Sequence, residues 1–526
     1  MFDKFQPGLN TSRDITVLAV LLLVIFGLNL AIPRDVWVQD EARYGEVVRE
    51  MLASGQWLVA HLNGHPYPDK PPLYFWLVAM LGGVIGHGEM AFRLVSFVST
   101  AIAMGGVYLT ARALAGGAVA FWSTVIFSSS FLTLVVGQIM RMDMLLTATS
   151  VFAWYGLLRF LQTDRQRGLW AFWSLCALAV AIKGPIGLLF TLLPGIVWIT
   201  VERGWRGLLD LRLFFGLFIL FIMVAGWVLA VIAQGEQQYL QTIWHEQLVG
   251  RAVNSWSHKE PFYFYIVLVP ILMMPWSVLV VHGSRIWYRN RPLYWRSVAL
   301  FGVLPLIGIS LISGKLLIYL EPLVPALSIA AGMSALDLAY RTALPRRFSW
   351  PPVVFLLLPL GGTVWLVGSG LVSQALPVIA LAGAFLMLVV FGFWLSYRNG
   401  LFWLTGWTAI FAMVSWLIFG ALTSLLNPLF SPRALGIAIA SHAPADRAVG
   451  IVHSTRGIVN YYAGRTFEEL RPDEAGTWWQ QHPQALLVIK TPEINSVFGA
   501  QGLPTNCRIH EIYRLELKEY HVLGDC

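Results

Sequence analysis

Two adjacent carboxylates, Asp40 and Glu41, stand near the start of the stretch VQDEARYGEVVREM, residues 38–51. A carboxylate placed there can take a proton from an attacking hydroxyl, or it can simply cap a helix. Tyr44, Val47, Val48, Met51 and Leu52 fall at helical spacing, with Arg43, Glu46, Arg49 and Glu50 on the other side. That pattern predicts an amphipathic helix suited to a membrane interface. Asp40 sits at its N-terminus, and Glu41 lies near the positive end of its dipole.

The next stretch, HLNGHPYPDKPPLYFWL at 61–77, holds Asp69 and Lys70 among four prolines. Prolines force a rigid, extended path. A lysine fixed in such a path binds a phosphate well, although a solvated acid–base pair is the plainer reading. In GQIMRMDM, 137–144, a tight turn carries Arg141 and Asp143, an ion pair or cap as readily as a reacting group. The segment 244–265 offers His245, Glu246, His258 and Glu260 as metal-ligating types and Arg251 as an anion contact, at spacings that match no fixed zinc signature. In SGKLLIYLEPLVP, 313–325, Lys315 and Tyr319 are four apart and are expected on one helical face. A snorkelling lysine is the plainer reading there.

These stretches need elements to hold them, and the composition says of what kind. Of 526 residues 57% are hydrophobic and only 12% charged, about half the charged share of a soluble domain. Apolar runs near the roughly 20 residues that cross a bilayer recur along most of the chain. The short alternating strands of an outer-membrane barrel are not the pattern here. The first run, Ile15–Pro33, is read as a span and not a cleaved signal, because it is long and lacks a clear small-residue cleavage site. Further spans are expected near 90–113, 118–136, 143–162, 169–183, 185–201, 212–234, 262–282, 297–313, 315–336, 352–371, 374–396 and 401–422, thirteen in all. The tight connections at 183–185 and 313–315 also allow broken single elements.

With the N-terminus in the cytoplasm, alternation places most arginines on the cytoplasmic side, as the positive-inside rule requires. The net charge of +8 is mostly this topology signal, and no nucleic-acid partner is needed to explain it. Two outer loops are long, 34–89 and 235–261. From about Pro428 the composition becomes soluble, and 449–454, 485–490 and 508–517 read as strands with helical pieces between them. The expected division is a transmembrane domain over 1–427 and a small α/β domain over 428–526. Cys507 and Cys526 in that tail would pair only in an oxidising compartment. Two free thiols are almost equally expected.

The chemistry-bearing residues share one side. There are seven lysines, and of those in the membrane part all except Lys4 fall on the predicted outer face. Basic residues held against the topology rule usually hold an anion. Asp40, Lys70, Asp143, His245, Arg251, Lys315 and Tyr319 together point to chemistry on a lipid phosphate.

DEARYGEVVREMLASGQWLVAHLNGHPYPDKPPLYFWL, 40–77, resembles the first outer loop of the bacterial glycosyltransferases that include the lipid A aminoarabinose transferases, a GT-C family shared with the protein O-mannosyltransferases. SGKLLIYLEPLVP is similar to that group's lysine, tyrosine and proline segment. The resemblance implies a polytopic α-helical membrane protein of GT-C fold, about thirteen spans with a small periplasmic domain, in the bacterial inner membrane with the C-terminus outside. It implies a donor sugar on a polyprenyl phosphate such as undecaprenyl phosphate, and a lipid or glycan acceptor at the periplasmic face, in a setting of membrane lipids. By match within the motifs, Asp40 takes the place of the catalytic acid, and Lys70, Arg251 and Tyr319 take the donor-phosphate contacts. Asp143 as a second catalytic carboxylate, Lys315 as a further phosphate contact and Glu41 as a supporting residue are expected from their place on the same outer face. The aminoarabinose transferases resemble zinc binders, which implies a divalent metal, zinc or magnesium, with His245 and Asp69 at the ligand positions. Asp69 stands where the family has glutamate.

The expected activity is therefore sugar transfer with inversion at the anomeric carbon. A protein O-mannosyltransferase is the alternative enzyme. A lipid-linked sugar flippase or transporter is the non-enzyme alternative, which favours an internal repeat and midplane charges; no clear repeat is visible.

Overall fold

The computed structural model describes residues 11–32, 34–37, 39–86, 88–243, 260–290, 292–339, 350–368, 375–395, 397–444, 446–452, 457–499, 508–515 and 518–524. The chain divides into two compact units. One comprises Met1–Ile32, Asp69–Pro71 and Arg93–Leu422, and the other Pro33–Pro68, Pro72–Phe92 and Thr423–Cys526. This grouping differs from a cut at 427/428, because most of the first outer loop groups with the C-terminal segment, while Asp69–Pro71 groups with the spans.

The first unit is a bundle of apolar helices. Among the described residues eight are long and apolar enough to cross a membrane, or nine if the pair Phe264–Leu272 and Ser277–Arg289, bent by 100°, is one span. Thirteen is not reached on that criterion. Gly117–Ser129 and Pro351–Trp365 are shorter apolar helices, the first helical run is broken by a π turn at Leu23–Gly27, and Gln166–Arg203 counts as one stretch of 38 residues. Yet that stretch is two antiparallel passes. A Cβ built at Gly187 stands 2.5 Å from the Ala179 carbonyl oxygen, and one at Gly195 stands 2.5 Å from the Phe172 ring. A straight helix separates residues eight apart by about 12 Å along its axis, so the chain reverses at the 3₁₀ turn Gly184–Ile186.

Small residues let the helices approach closely, as membrane helix packing favours. Asp143–Thr163 packs on Gln166–Lys183 where Gly156 and Gly168 face each other's backbone. Ser277–Asn290 meets Val324–Ala339 at Gly283, where a Cβ would lie 1.9 Å from the Ala330 carbonyl oxygen. Trp154 stacks on Phe301 at 4.8 Å between ring centroids, and the Trp276 indole donates to Ser129 Oγ.

The second unit is built on a five-stranded sheet. Glu468–Leu470, Val449–Val452 and Leu486–Lys490 run parallel, and Lys518–Gly524 and Arg508–Leu515 add antiparallel pairs in that order. Three of these strands are the expected ones. Glu468–Leu470 and Lys518–Gly524 are additions, the first too short for its alternation to be read. Trp478 and Trp479 of the helix Pro472–Gln481 cover one sheet face over Val452, Leu487, Ile489 and Leu523.

The expected helix is present as Asp40–Ser54, but the apolar and polar sides do not divide as the pattern suggests: Glu46 and Glu50 are buried along with Tyr44, Val47, Val48 and Met51, and Leu52 is exposed. Tyr44 packs edge-on against Tyr74 and Phe75 of the helix Leu73–Ile85. A two-stranded hairpin, His61–Leu62 with His65–Pro66, follows the first of these helices. The Cys507 and Cys526 pairing lies outside the described residues. Cys176 is buried and free.

Candidate functional site

Within the second unit the acid-bearing helix starts at Asp40, but Asp40 does not cap it. Gln39 holds the cap position, with no side-chain cap bond. Asp40 is half-buried and pairs loosely with Arg43, Nη1 to Oδ1 3.4 Å. Its carboxylate stands in the first helical turn, where the dipole favours negative charge.

Glu41, beside it, has a defined structural part. Arg34 donates both Nη atoms to the two Glu41 oxygens at 2.8 and 2.9 Å, both side chains being buried. The Trp37 backbone N–H adds a third bond to Glu41 Oε2 at 3.0 Å. A bidentate arginine–carboxylate pair fixes geometry as well as charge, so the chain entering the helix is locked. Further along, Glu46 is fully buried against Arg49, whose Nε and Nη2 each reach it at 2.7 Å. Burial pushes the Glu46 carboxyl up to about 7, with Arg49 opposing the shift and Glu50 adding to it.

Within the first unit a charged cluster is held by four elements. Asp143 begins its helix and is buried. Lys183, the last residue of the following helix, donates to Asp143 Oδ1. Arg141 Nε reaches the other oxygen at 3.3 Å. The Lys183 ammonium also lies over the Tyr319 ring, 4.2 Å from its centroid, a geometry in which ring and cation attract. Two residues on, Glu321 is fully buried. Thr133 donates to its Oε1 at 2.9 Å, and Oε2 has no hydrogen-bond partner.

The structure thus brings Asp143 and Tyr319 together through Lys183, a residue the sequence marked only as a lysine on the wrong side. With both oxygens engaged by cations, Asp143 orients those cations and is poorly placed to accept a proton. Glu321 was missed although it stands in a segment already singled out. The signal was there, since an acid inside an apolar span marks function by default.

Lys315 does not share a helical face with Tyr319. The helix there is 3₁₀, Leu317–Leu323, with Pro322 inside it, and Lys315 precedes it. A 3₁₀ turn aligns residues three apart, not four. Lys315 Nζ donates to the carbonyls of Glu260 and Ile312 at 2.9 and 2.6 Å, a structural staple. Lys70 and Asp69 are half-buried in the proline-rich segment. Arg251, His245, Glu246 and His258 lie outside the described residues. Among the described residues no three His, Cys, Asp or Glu side chains gather to hold a metal.

Residues 69–230 match the family model described as dolichyl-phosphate-mannose-protein mannosyltransferase. The chain is 30% identical over 372 residues to the undecaprenyl phosphate-alpha-4-amino-4-deoxy-L-arabinose arabinosyl transferase of Pseudomonas aeruginosa strain UCBPP-PA14, covering 69% of this chain and 64% of that one. It is 30% identical to the protein of the same name from Edwardsiella ictaluri over 319 residues, 59% of this chain and 57% of the relative. The match therefore spans less than two thirds of the length of these curated relatives. Among solved structures, ArnT from Cupriavidus metallidurans in the apo state superposes with a TM-score of 0.80 at 18% identity, covering 98% of both chains. The same protein bound to undecaprenyl phosphate superposes at 0.75 and 17% identity, covering 98% of this chain and 97% of that one. The fold of this chain is the ArnT fold, and the chain is a multi-pass membrane protein resembling the aminoarabinose transferases.

Proposed function

We propose that this chain is an integral membrane glycosyltransferase that moves a sugar from a polyprenyl-phosphate donor to a lipid or glycan acceptor. The reading is carried by one observation: the chain is similar, over 372 residues, to a transferase named for an undecaprenyl phosphate-linked aminosugar. The fold shared with ArnT supports it. In this reading the protein lies in the bacterial inner membrane with its N-terminus in the cytoplasm. Its C-terminal domain is in the periplasm, as the arginine distribution favours.

The reaction is a displacement at the anomeric carbon. The acceptor oxygen forms the new bond to that carbon as the bond to the donor phosphate oxygen breaks, and the configuration inverts. Asp40 takes the acceptor hydroxyl proton. Lys70, Arg251 and Tyr319 stabilise the charge that develops on the departing polyprenyl phosphate. Asp143 pairs with Lys183 and orients it beside Tyr319, and Glu41 holds the chain leading to Asp40.

Transfer of radiolabelled polyprenyl-phosphate sugars by membranes, wild type against Asp40→Ala and Lys70→Ala, tests this reading. Loss in both variants is expected. Full transfer by both overturns the site, and movement of lipid-linked sugar without transfer favours a flippase. The match to a protein mannosyltransferase family model over 69–230 favours a second acceptor class, and offering a peptide beside lipid A in the same assay separates the two. Zinc or magnesium on Asp69 and His245 enters the proposal from the resemblance alone. Metal analysis of purified wild type against Asp69→Ala tests it, and a metal-free wild type removes that pair.

A further inference from the structure

We propose that Asn63 is a positioning residue that ties the acid-bearing helix to the C-terminal sheet. The inference rests on the transferase reading for its catalytic consequence, though not for its geometry. Asn63 is buried at the turn of the His61–Pro66 hairpin, with a left-handed backbone at φ 56°. Its backbone N–H donates to Glu50 Oε1, and that of Gly64 to Glu50 Oε2 at 3.0 Å. Glu50 belongs to the helix that begins at Asp40. One carboxylate therefore clamps the hairpin turn to that helix.

The other half of Asn63 faces the C-terminal segment. Its Nδ2 donates to the Phe467 carbonyl at 2.9 Å and to Glu469 Oε1 at 2.8 Å. Its Oδ1 accepts from the Phe467 backbone N–H at 2.8 Å and from Asn460 Nδ2 at 2.7 Å. A side-chain amide offers two donors and an acceptor oxygen with two lone pairs, and all four are used here. Phe467 and Glu469 belong to the segment forming the sheet's edge strand, Glu468–Leu470. The amide thus pairs with the C-terminal segment much as a further strand residue would.

The tie is reinforced nearby. Arg49 donates to the Gly464 carbonyl at 3.2 Å, and Gly45 approaches the Tyr461 ring so closely that a Cβ there would stand 2.9 Å from it. Tyr462 Oη accepts from the Val36 N–H at 2.9 Å and donates to Glu89 Oε1 at 2.6 Å. The hairpin also leads, through Pro66 and Pro68, into the Asp69–Lys70 segment. Asn63 thus stands in the chain between the proposed base and the proposed phosphate-binding lysine, with its turn fixed from both sides. Catalytic groups held even 1 Å out of place lose rate steeply.

The test uses the full-length protein in detergent and the variants Asn63→Gly and Asn460→Ala. Glycine accepts the left-handed backbone at no cost but removes the amide. Hydrogen exchange is read over 40–54 and 457–470, with the spanning helices as internal control. We expect Asn63→Gly to speed exchange at least tenfold in both segments and leave the spans unchanged. In the transfer assay kcat falls at least tenfold with the donor KM within twofold. Asn460→Ala acts in the same direction, and the double variant is little worse than Asn63→Gly alone. Wild-type exchange and kcat in Asn63→Gly would mean that only the backbone conformation matters, which overturns the proposal. A wild type that transfers no sugar overturns the transferase reading instead, and the exchange data still decide the tie.

Discussion

Lys183 lies over the ring of Tyr319 while it ion-pairs with buried Asp143. Neighbouring passes of the bundle thus share one cation, and the tyrosine is held by a charge that is itself held by an acid. The arrangement makes Asp143 and Lys183 a unit.

Removing one member of a buried pair leaves an uncompensated charge and costs about 3–5 kcal/mol. Asp143→Asn and Lys183→Met are each expected to lower the melting temperature in detergent markedly. The double variant should melt above the sum of the two losses. Additive losses would show that the two side chains act separately.

Glu321 is fully buried, with Thr133 on one oxygen and no partner on the other. A carboxylate in such a place is costly unless paired. Glu321→Gln keeps an acceptor for Thr133, and we expect it to leave stability unchanged or raise it by about 1 kcal/mol, an amount typical of one hydrogen-bonding group. A variant that is more stable yet slower in transfer would mark Glu321 as a functional acid.

Glu46 gives the second unit a pH dependence. Its folded carboxyl is raised from 4.5 to about 7 by burial, so the folded state binds its proton more tightly than the unfolded chain does. The associated stability is fully present below about pH 4.5 and is lost as pH rises towards about 7. The span of the shift corresponds to roughly 3 kcal/mol at most. Melting curves between pH 5 and 8 should show wild type losing stability relative to Glu46→Gln as pH rises. Parallel curves would remove Glu46 as the cause.

Gly283 marks a helix crossing where backbone meets backbone. A methyl group there collides with the Ala330 carbonyl, and the helices Ser277–Asn290 and Val324–Ala339 must separate to admit it. Overpacking of this kind costs about 1–3 kcal/mol. Gly283→Ala should lower the melting temperature, whereas Gly361→Ala, where a Cβ meets nothing within 4 Å, should not.

Periodicity made the Asp40–Ser54 helix legible, because Tyr44, Val47, Val48 and Met51 all turn inward. Long apolar runs made the bundle of spans readable, though not its count, and three strands were readable as short apolar runs. Lys315 and Tyr319 were misjudged because spacing by four assumes an α-helix, and Pro322 lies in a 3₁₀ turn. The partners of the polar residues were not readable at all. Glu41 meets Arg34 seven residues away, Asp143 meets Lys183 forty away, and Asn63 meets Asn460 at a separation of 397. Nothing in local pattern encodes such meetings, since packing of whole elements decides them.

The distance between Asn63 and its partners also sets an order of events in the cell. The hairpin leaves the ribosome early, while Asn460 and Phe467 lie 397 and 404 residues behind it. At about 5–20 residues per second, that interval lasts roughly 20–80 s. During it the hairpin turn must rely on water or a chaperone for its hydrogen bonds. A nascent chain that stalls after its last spanning helix, Gly400–Ala421, still carries an unfinished loop, because the partners of Asn63 have yet to be made.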